Sequence, residues 1–251
     1  MARIVTVIGS QGFVGSAFVR LPWERVDVIL NTVTRANYAE SIGLKSDVTI
    51  DCSGNSFKHI AEANPILDFE VSVRHRLRTL TDYPAKLQLH ISSIDVTDGT
   101  NYGFHKHLTD EIVQHYCDRY LILHLSGMVG PGLHKNPVYD VLNDIPIWIH
   151  PDSQQQFIHT DDVARIAWDL VEQGVSQTAI NVCGEGGISP REIARLAGKT
   201  LNLTRLTDEE PRYWVCPVKD LKTYTTVPRT LDTVAAFVSQ SQPFTRGESR
   251  A

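Results

Sequence analysis

Cysteine is scarce, and Cys52, Cys117, Cys183 and Cys216 stand far apart with no CxxC pair among them. Such spacing offers neither a disulfide framework nor a thiolate metal site, so reduced cysteines in a cytoplasmic protein are expected. No spacing of histidines with other ligands suggests a metal either. Charge of one sign is also lacking. A net charge of −5 gives no electrostatic basis for binding nucleic acid or an anionic membrane. No apolar run approaches the roughly 20 residues of a membrane span. The opening MARIVTVIG carries one arginine and breaks at Gly9, which is too short for a signal peptide. Internal repeats and low-complexity blocks are missing as well. What remains is a chain of 251 residues, 42% hydrophobic and 21% charged, long enough to bury a sizeable core in one large α/β domain with a small lobe.

The pattern along the chain alternates strand and helix. Arg3–Ile8, RIVTVI, is apolar and β-branched as a strand buried on both faces requires. Gly9, Gly12 and Gly15 follow at intervals of three, before a helix expected to reach about Trp23. In that position the first glycine makes the turn, the second admits a pyrophosphate and the third lets helix pack on strand. Dinucleotide binding is therefore expected there, with Gln11, Phe13 and Val14 completing the loop; the bland alternative is a tight turn that binds nothing. A second strand is read over Val26–Thr34. Where NAD-specific folds carry a carboxylate for the ribose, about 20 residues beyond the glycines, this chain has Arg35, which suits the 2′-phosphate of NADP rather than NAD.

Asp47–Cys52 reads as the third strand, and the loop Ser53-Gly54-Asn55 behind it is expected to line the ligand crevice, Ser53 and Gly54 on the cofactor and Asn55 on the substrate. Asn64-Pro65 opens a helix whose Ile66, Phe69, Val73, Leu77 and Leu80 are spaced to pack on the sheet. Arg74, His75, Arg76 and Arg78 then fall on a solvated face. Further strands are read at Leu87–Ile91, Tyr120–Leu125, Ile147–His150 and Ala179–Cys183. Helices are expected after Asp161 or Asp162, from a capping box at Ser189-Pro190-Arg191-Glu192, and around Leu231–Val238. The fold class that follows is α/β, a Rossmann-type doubly wound parallel sheet. Residues 1–150 mainly form it, with strand 179–183 returning to it. Residues 151–238 mainly form a substrate lobe and 239–251 a flexible tail.

The stretch Leu87–Lys106, LQLHISSIDVTDGTNYGFHK, carries the candidate chemistry. Tyr102 and Lys106 share one helical face, and an ammonium beside a phenol is expected to lower the phenol's pKa from about 10. Ser93 ends the preceding strand and places a hydroxyl near the same point. Taken alone, a tyrosine and lysine four apart are as well explained by an exposed helix face. His105 and His107 read as solvent-facing.

The motifs GSQGFVG, SSIDV, YGFHK, LSGMVGPG, QFIHTDDVA and AINVCGEGGISPREIA occur in an order that resembles the extended short-chain dehydrogenase/reductases, the NAD(P)-dependent epimerase/dehydratase superfamily. The resemblance runs from Arg3 to about Phe237. It implies that Ser93, Tyr102 and Lys106 are the catalytic trio, that Lys106 also holds the nicotinamide ribose, and that Gly9, Gly12 and Gly15 carry the cofactor phosphates. The 4,6-dehydratases of that group place an Asp-Glu pair after the catalytic hydroxyl; here Ile94 and Asp95 stand there, and Ile94 cannot donate the proton that expels water. The short loop before Tyr102 is similar to the sugar-nucleotide 4-ketoreductases of the CapF type.

The expected activity is NADPH-dependent reduction of a ketone on a nucleotide sugar or similar polar substrate, hydride coming from nicotinamide and a proton from Tyr102. Ser93 would stabilise charge on the same oxygen. Asn55, Asp95, Met128 and His159 are candidate substrate contacts, Asp95 also a second acid/base. The rival readings are an NAD-dependent epimerase and a non-catalytic NAD(P)-binding sensor. A homodimer is implied by the family, with no nucleic-acid or membrane partner.

Overall fold

The computed structural model describes residues 2–23, 27–207 and 210–241. The expected strand start at Val26 and the tail from residue 242 lie outside them. Two units form separate clusters. The first takes the residues up to Ser126, Thr160–Cys183 and Cys216–Val227; the second takes Gly127–His159, Gly184–Val215 and the residues from Pro228.

The first unit is built on six parallel strands: β1 (Arg3–Ile8), β2 (Val28–Val33), β3 (Ser46–Asp51), β4 (Ala85–Ser93), β5 (Tyr120–Leu125) and β9 (Thr178–Val182). Their order is β2-β1-β3-β4-β5-β9. The chain winds outward from β1 to β2 and then starts again at β3 on the other side of β1. That reversal opens a crevice at the carboxyl ends of β1 and β3, where ligands of such sheets bind. Register aligns those ends: Ile8 pairs with Val33 and with Asp51, Ser93 with Leu125, and Leu125 with Val182. The loops leaving Ile8, Asp51, Ser93, Leu125 and Val182 therefore share one edge of the sheet. Val5, Val7, Val48, Ile50, Leu89, Leu121, Ile122 and Leu123 are almost fully buried, as central parallel strands demand.

Helices α1 (Gly15–Val19), α2 (Lys58–Ala63), α3 (Pro65–Asp68), α4 (His75–Asp82), α5 (Asn101–Tyr116) and α7 (Thr160–Glu172) belong to this unit. Helix α1 stops short of the expected Trp23, whose indole N–H instead donates to the Phe18 carbonyl at 2.7 Å and whose ring meets Trp168 edge-on. Helix α7 begins at Thr160, one residue before its expected aspartate caps, and Asp161 and Asp162 occupy its first turn.

The face of α3 and α4 departs most from expectation. Ile66, Phe69 and Leu77 are exposed, and the inward residues are Asp68, Ser72, Val73, Arg76 and Thr79. The two helices are joined by a π-helical stretch, Phe69–Arg74, which no 3.6-residue pattern anticipates and which changes the phase of the side chains. Arg76, placed on a solvated face by the sequence pattern, is 3% exposed and forms an ion pair with Asp51. The polar face turns inward because each of its charges finds a partner there.

The second unit contains β6 (Gly127–Val129), α6 (Pro137–Leu142), β7 (Gln154–Gln155), β8 (Phe157–His159), α8 (Pro190–Ala197), β10 (Tyr213–Trp214) and α9 (Thr230–Ser241). Its core gathers Val129, Val138, Val141, Ile147, Phe157, Ile188, Ile193 and Val234. The capping box at Ser189 and Glu192 forms in full. The expected strand at Ile147–His150 does not form. Ile147 is a core residue there, and its N–H donates to the Asn202 carbonyl. Ser239–Ser241, read as the start of the tail, complete α9.

Candidate active site

The glycine loop is shaped by contacts that exclude side chains. Gly9 has φ +75°, and a Cβ added to Gly15 would come within 2.1 Å of the Gly9 carbonyl oxygen. The turn from β1 into α1 thus closes only with glycine at both positions. Gly12 is held by its N–H donating to the same carbonyl at 2.9 Å. The loop thus has the tight glycine turn between strand and helix that dinucleotide-binding folds use. Across the crevice the Ser53 N–H donates to Asp51 Oδ1 at 2.9 Å and the Ser53 hydroxyl donates to the same oxygen, while Gly54 takes φ +106°. Arg35 is exposed in the turn after β2.

Asp51 anchors that second loop. Its Oδ2 accepts from Arg76 Nη1 and, at 2.6 Å, from the Thr79 hydroxyl. Burial raises its pKa, but Arg76, Ser53 and Thr79 together prevail and hold it down at about 2. Asp68 ties the Asn55 loop to helix α5. It accepts from His105 Nδ1–H on α5 at 2.6 Å and from the Asn55 side-chain amide at 2.8 Å. His105 is therefore a buried, paired residue and not the solvent-facing one its position suggested. Asn55 also donates to the Phe57 carbonyl and accepts from the Phe57 N–H, so its amide is committed to the loop's own structure.

Helix α5 presents Tyr102, His105, Lys106, Thr109 and Asp110 inward. Thr100 caps its start by accepting from the Gly103 N–H at 3.0 Å, and Glu62 accepts from the Tyr102 N–H. Gly103 has a specific use: a Cβ there would lie 2.2 Å from the Asp95 carbonyl oxygen. Only glycine lets the helix approach the 3-10 turn Ile94–Thr97 so closely, and this brings Tyr102 to the end of β4.

There the Ser93 hydroxyl lies within reach of the Tyr102 phenol, and Lys106 Nζ stands 5.5 Å from the centre of the Tyr102 ring. All three are nearly buried. The Ser93 hydroxyl also donates to Asp95 Oδ2 at 2.9 Å, and Lys58 Nζ donates to Asp95 Oδ1 at 2.7 Å. Asp95 is thus held between a serine and a lysine. The expected lowering of the Tyr102 pKa is absent from the chain by itself. Burial pushes it above the ordinary phenol value, and the charge of Asp95 adds to the effect, against a smaller opposite pull from Ser93. Lys106 is pushed down to about 8, by burial first and then by Arg76, while Asp110, Asp68 and Asp51 pull it up.

Behind Lys106, Asp110 accepts from His124 Nε2 at 2.8 Å and lies 3.4 Å from His90 Nε2. Burial raises its pKa, but the two histidines keep it below the usual carboxylate range. His90, buried and close to Arg76, is lowered to about 4. Sequence reading missed Asp51, Lys58, Glu62, Asp68, Arg76 and Asp110. The available signal was a charged residue at the end of a buried strand or on the inward side of a helix. Met128 and His159 belong to the second unit, on the paired strands β6 and β8, where Val129 pairs with His159. Among the described residues no cluster of histidine, cysteine and carboxylates could hold a metal ion, and no helix is long and apolar enough to cross a membrane.

A parallel sheet with its switch point at a glycine cradle, and a Ser–Tyr–Lys cluster one strand away, define a nicotinamide-dinucleotide enzyme of the oxidoreductase type. The model of the NAD dependent epimerase/dehydratase family matches residues 26–183, and the chain belongs to that family. Among curated proteins none matches by sequence. Solved structures share the fold at low identity. RMD from Pseudomonas aeruginosa complexed with NADPH is 15% identical, with 95% of this chain and 99% of that one covered at a TM-score of 0.77. The dTDP-4-dehydrorhamnose reductase from Bacillus anthracis in complex with NADP is 15% identical, covering 96% and 99% at 0.76. A UDP-galactose 4-epimerase is 16% identical, covering 94% and 97%, also at 0.76.

Proposed function

We propose that the chain is an NADPH-dependent reductase of a ketone on a nucleotide-linked sugar. The observation that carries this reading is Arg35, exposed in the turn after β2 where NAD-binding folds carry a carboxylate for the ribose; an arginine there favours NADPH, which is consumed in reduction, over the retained NAD of an epimerase. Tyr102, buried at the end of β4 beside Ser93, is the phenol placed to give its proton to a forming alkoxide. Ile94 follows Ser93 without an acidic group, and Asp95 is engaged by Lys58 and Ser93, so neither is free to expel water. Nicotinamide, when bound, supplies the hydride.

The chain's own residues do the rest. Tyr102 donates its proton to the substrate oxygen. Ser93 turns its hydroxyl from Asp95 to the same oxygen and stabilises charge as it builds. Lys106 bears on the phenol and holds the ribose; Asp51 and Arg76 fix the Ser53–Gly54 loop against the cofactor. Arg35 takes the 2′-phosphate. Nucleotide sugars as substrates are supported by the reductase and epimerase that share the fold.

Cofactor choice is tested by titration. Arg35→Ala is expected to weaken NADPH binding roughly tenfold or more, the loss of a charge-assisted hydrogen bond, and to leave NADH unchanged. Equal weakening of both would contradict the assignment. The pH dependence has a definite sign. Lys106 must be protonated, and its pKa in the free protein is about 8, so kcat/KM falls as pH rises through that value. A flat profile up to pH ~10, the ordinary lysine range, would show that Lys106 titrates elsewhere.

A second copy of the chain is proposed to cover the apolar outer faces left by Ile66, Phe69 and Leu77 and by Phe104 and Tyr116 of α5. Light scattering should then give twice the chain mass; a monomer at all concentrations would refute it.

A further inference from the structure

Two cysteines lie at the same sheet edge as the catalytic cluster and take no part in the proposed reduction. Cys183 leaves β9 directly after Val182, the partner of Leu125, and is fully buried. Cys216 opens the segment Cys216–Val227 of the same unit and is only half-buried. Pro217 and Leu221, next along that segment, line one pocket with Ile180 and Asn181 of β9, and the Cys183 and Cys216 side chains lie within hydrogen-bonding reach of each other, with Ser126, next to Leu125, beside Cys183. The two sulfurs are therefore neighbours, one reachable from solvent and one behind it. This is the arrangement in which an attacking and a resolving thiol work.

We propose that Cys216 and Cys183 form a reactive dithiol that is oxidised by small-molecule disulfides. The Cys216 thiolate attacks one sulfur of the disulfide RS–SR. The S–S bond breaks, one RS⁻ leaves and takes up the proton that Cys216 released, and a mixed disulfide remains on Cys216. The Cys183 sulfur then attacks Cys216, the second RS⁻ leaves with the Cys183 proton, and a Cys183–Cys216 disulfide is formed. The protein loses two electrons and two protons, which the oxidant carries away as two thiols.

Local electrostatics agree with these roles. The hydrogen bond from Cys183 pulls Cys216 down to about 7, against burial and the charge of Asp95, with His124 helping. Cys183 is held in its protonated form by that same bond and by burial. The other two thiols are pushed up by burial, Cys117 to about 11 and Cys52 further. Reactivity follows the thiolate fraction, so at neutral pH only Cys216 is poised. Asp95, which accepts the Ser93 hydroxyl, is among the charges that bear on Cys216. Ionising or oxidising this thiol therefore alters the field at the candidate active site. The pair's chemistry itself does not depend on the reductase reading.

The test uses the full native chain with oxidised glutathione as the probe, followed by peptide mass mapping without reductant. A Cys183–Cys216 link is expected in the unmodified chain, and in Cys183→Ala a stable glutathione adduct on Cys216. Alkylation by iodoacetamide at neutral pH should be more than about tenfold faster at Cys216 than at Cys52 or Cys117, with a half-point near pH 7 that moves upward in Cys183→Ala. The proposal is overturned if the unmodified chain keeps glutathione on Cys216 without forming the link. It is also overturned if Cys216 is alkylated no faster than Cys52 and Cys117, a measurement that needs no variant.

Discussion

Tyr102→Phe is expected to lower kcat for ketone reduction by about 10²- to 10⁴-fold, the usual contribution of a placed general acid. NADPH binding should change little, because the ring stays. The substitution removes one oxygen from a buried cluster, and the groups around that oxygen limit the available substitutes. Ser93 is the other hydroxyl in reach, but it donates to Asp95. Lys106 stands 5.5 Å from the ring centre, too far to stand where the phenol oxygen is lost, and it places positive charge beside the phenol only below about pH 8. The expected signature is therefore a loss in kcat with an almost unchanged cofactor Kd. A variant that keeps a tenth or more of the wild-type rate would show that the proton comes from elsewhere.

The second large effect is on stability. Arg76→Met leaves Asp51 buried without its counter-ion, and removing one member of a buried ion pair costs about 3–5 kcal/mol. Thermal unfolding should move down by roughly 6–20 °C, at ~2–4 °C per kcal/mol for a chain of this size. The Ser53–Gly54 loop loses its fixed anchor in the same change, so cofactor affinity should fall as well. The double replacement Asp51→Leu, Arg76→Met should recover part of the loss, because it removes the stranded charge. If the double variant is less stable than Arg76→Met, the cost arises from packing and not from the unpaired carboxylate. Acid should have a related effect. The folded pKa of Asp51 is depressed to about 2, below the usual ~3.9, so its contribution is complete above ~3.9 and is lost as pH falls through about 2.

The sheet was readable because its signals are local. Buried parallel strands are continuous apolar runs, so RIVTVI and YLILHL stand out, and the glycines after β1 stand at the spacing a tight strand-to-helix turn needs. Tyr102 and Lys106 were readable because i and i+4 share a face. What the sequence concealed were the polar interiors of two helices. The inward face of α3 and α4 carries Asp68, Ser72, Arg76 and Thr79, and a hydrophobic pattern assigns such residues to solvent. Their burial depends on partners far along the chain: Asp51 lies 25 residues before Arg76, and His105 lies 37 residues after Asp68. The π-helical stretch then shifts the phase that the pattern relies on. Periodicity cannot supply long-range pairing, and so it pointed Ile66, Phe69 and Leu77 the wrong way. The same limit applied to Asp95: its position after Ser93 was plain, but its engagement by Lys58 was not.

Net hydride transfer is the central claim, and isotope tracing tests it most directly. The protein would be given NADPH deuterated at the transferring carbon of nicotinamide, with a nucleotide-linked keto sugar. The account predicts one oxidised cofactor per product, deuterium on the new carbinol carbon, and loss of both in Tyr102→Phe. Recovery of the cofactor still reduced, with the sugar inverted at one centre and no net consumption, would contradict it and make the chain an epimerase.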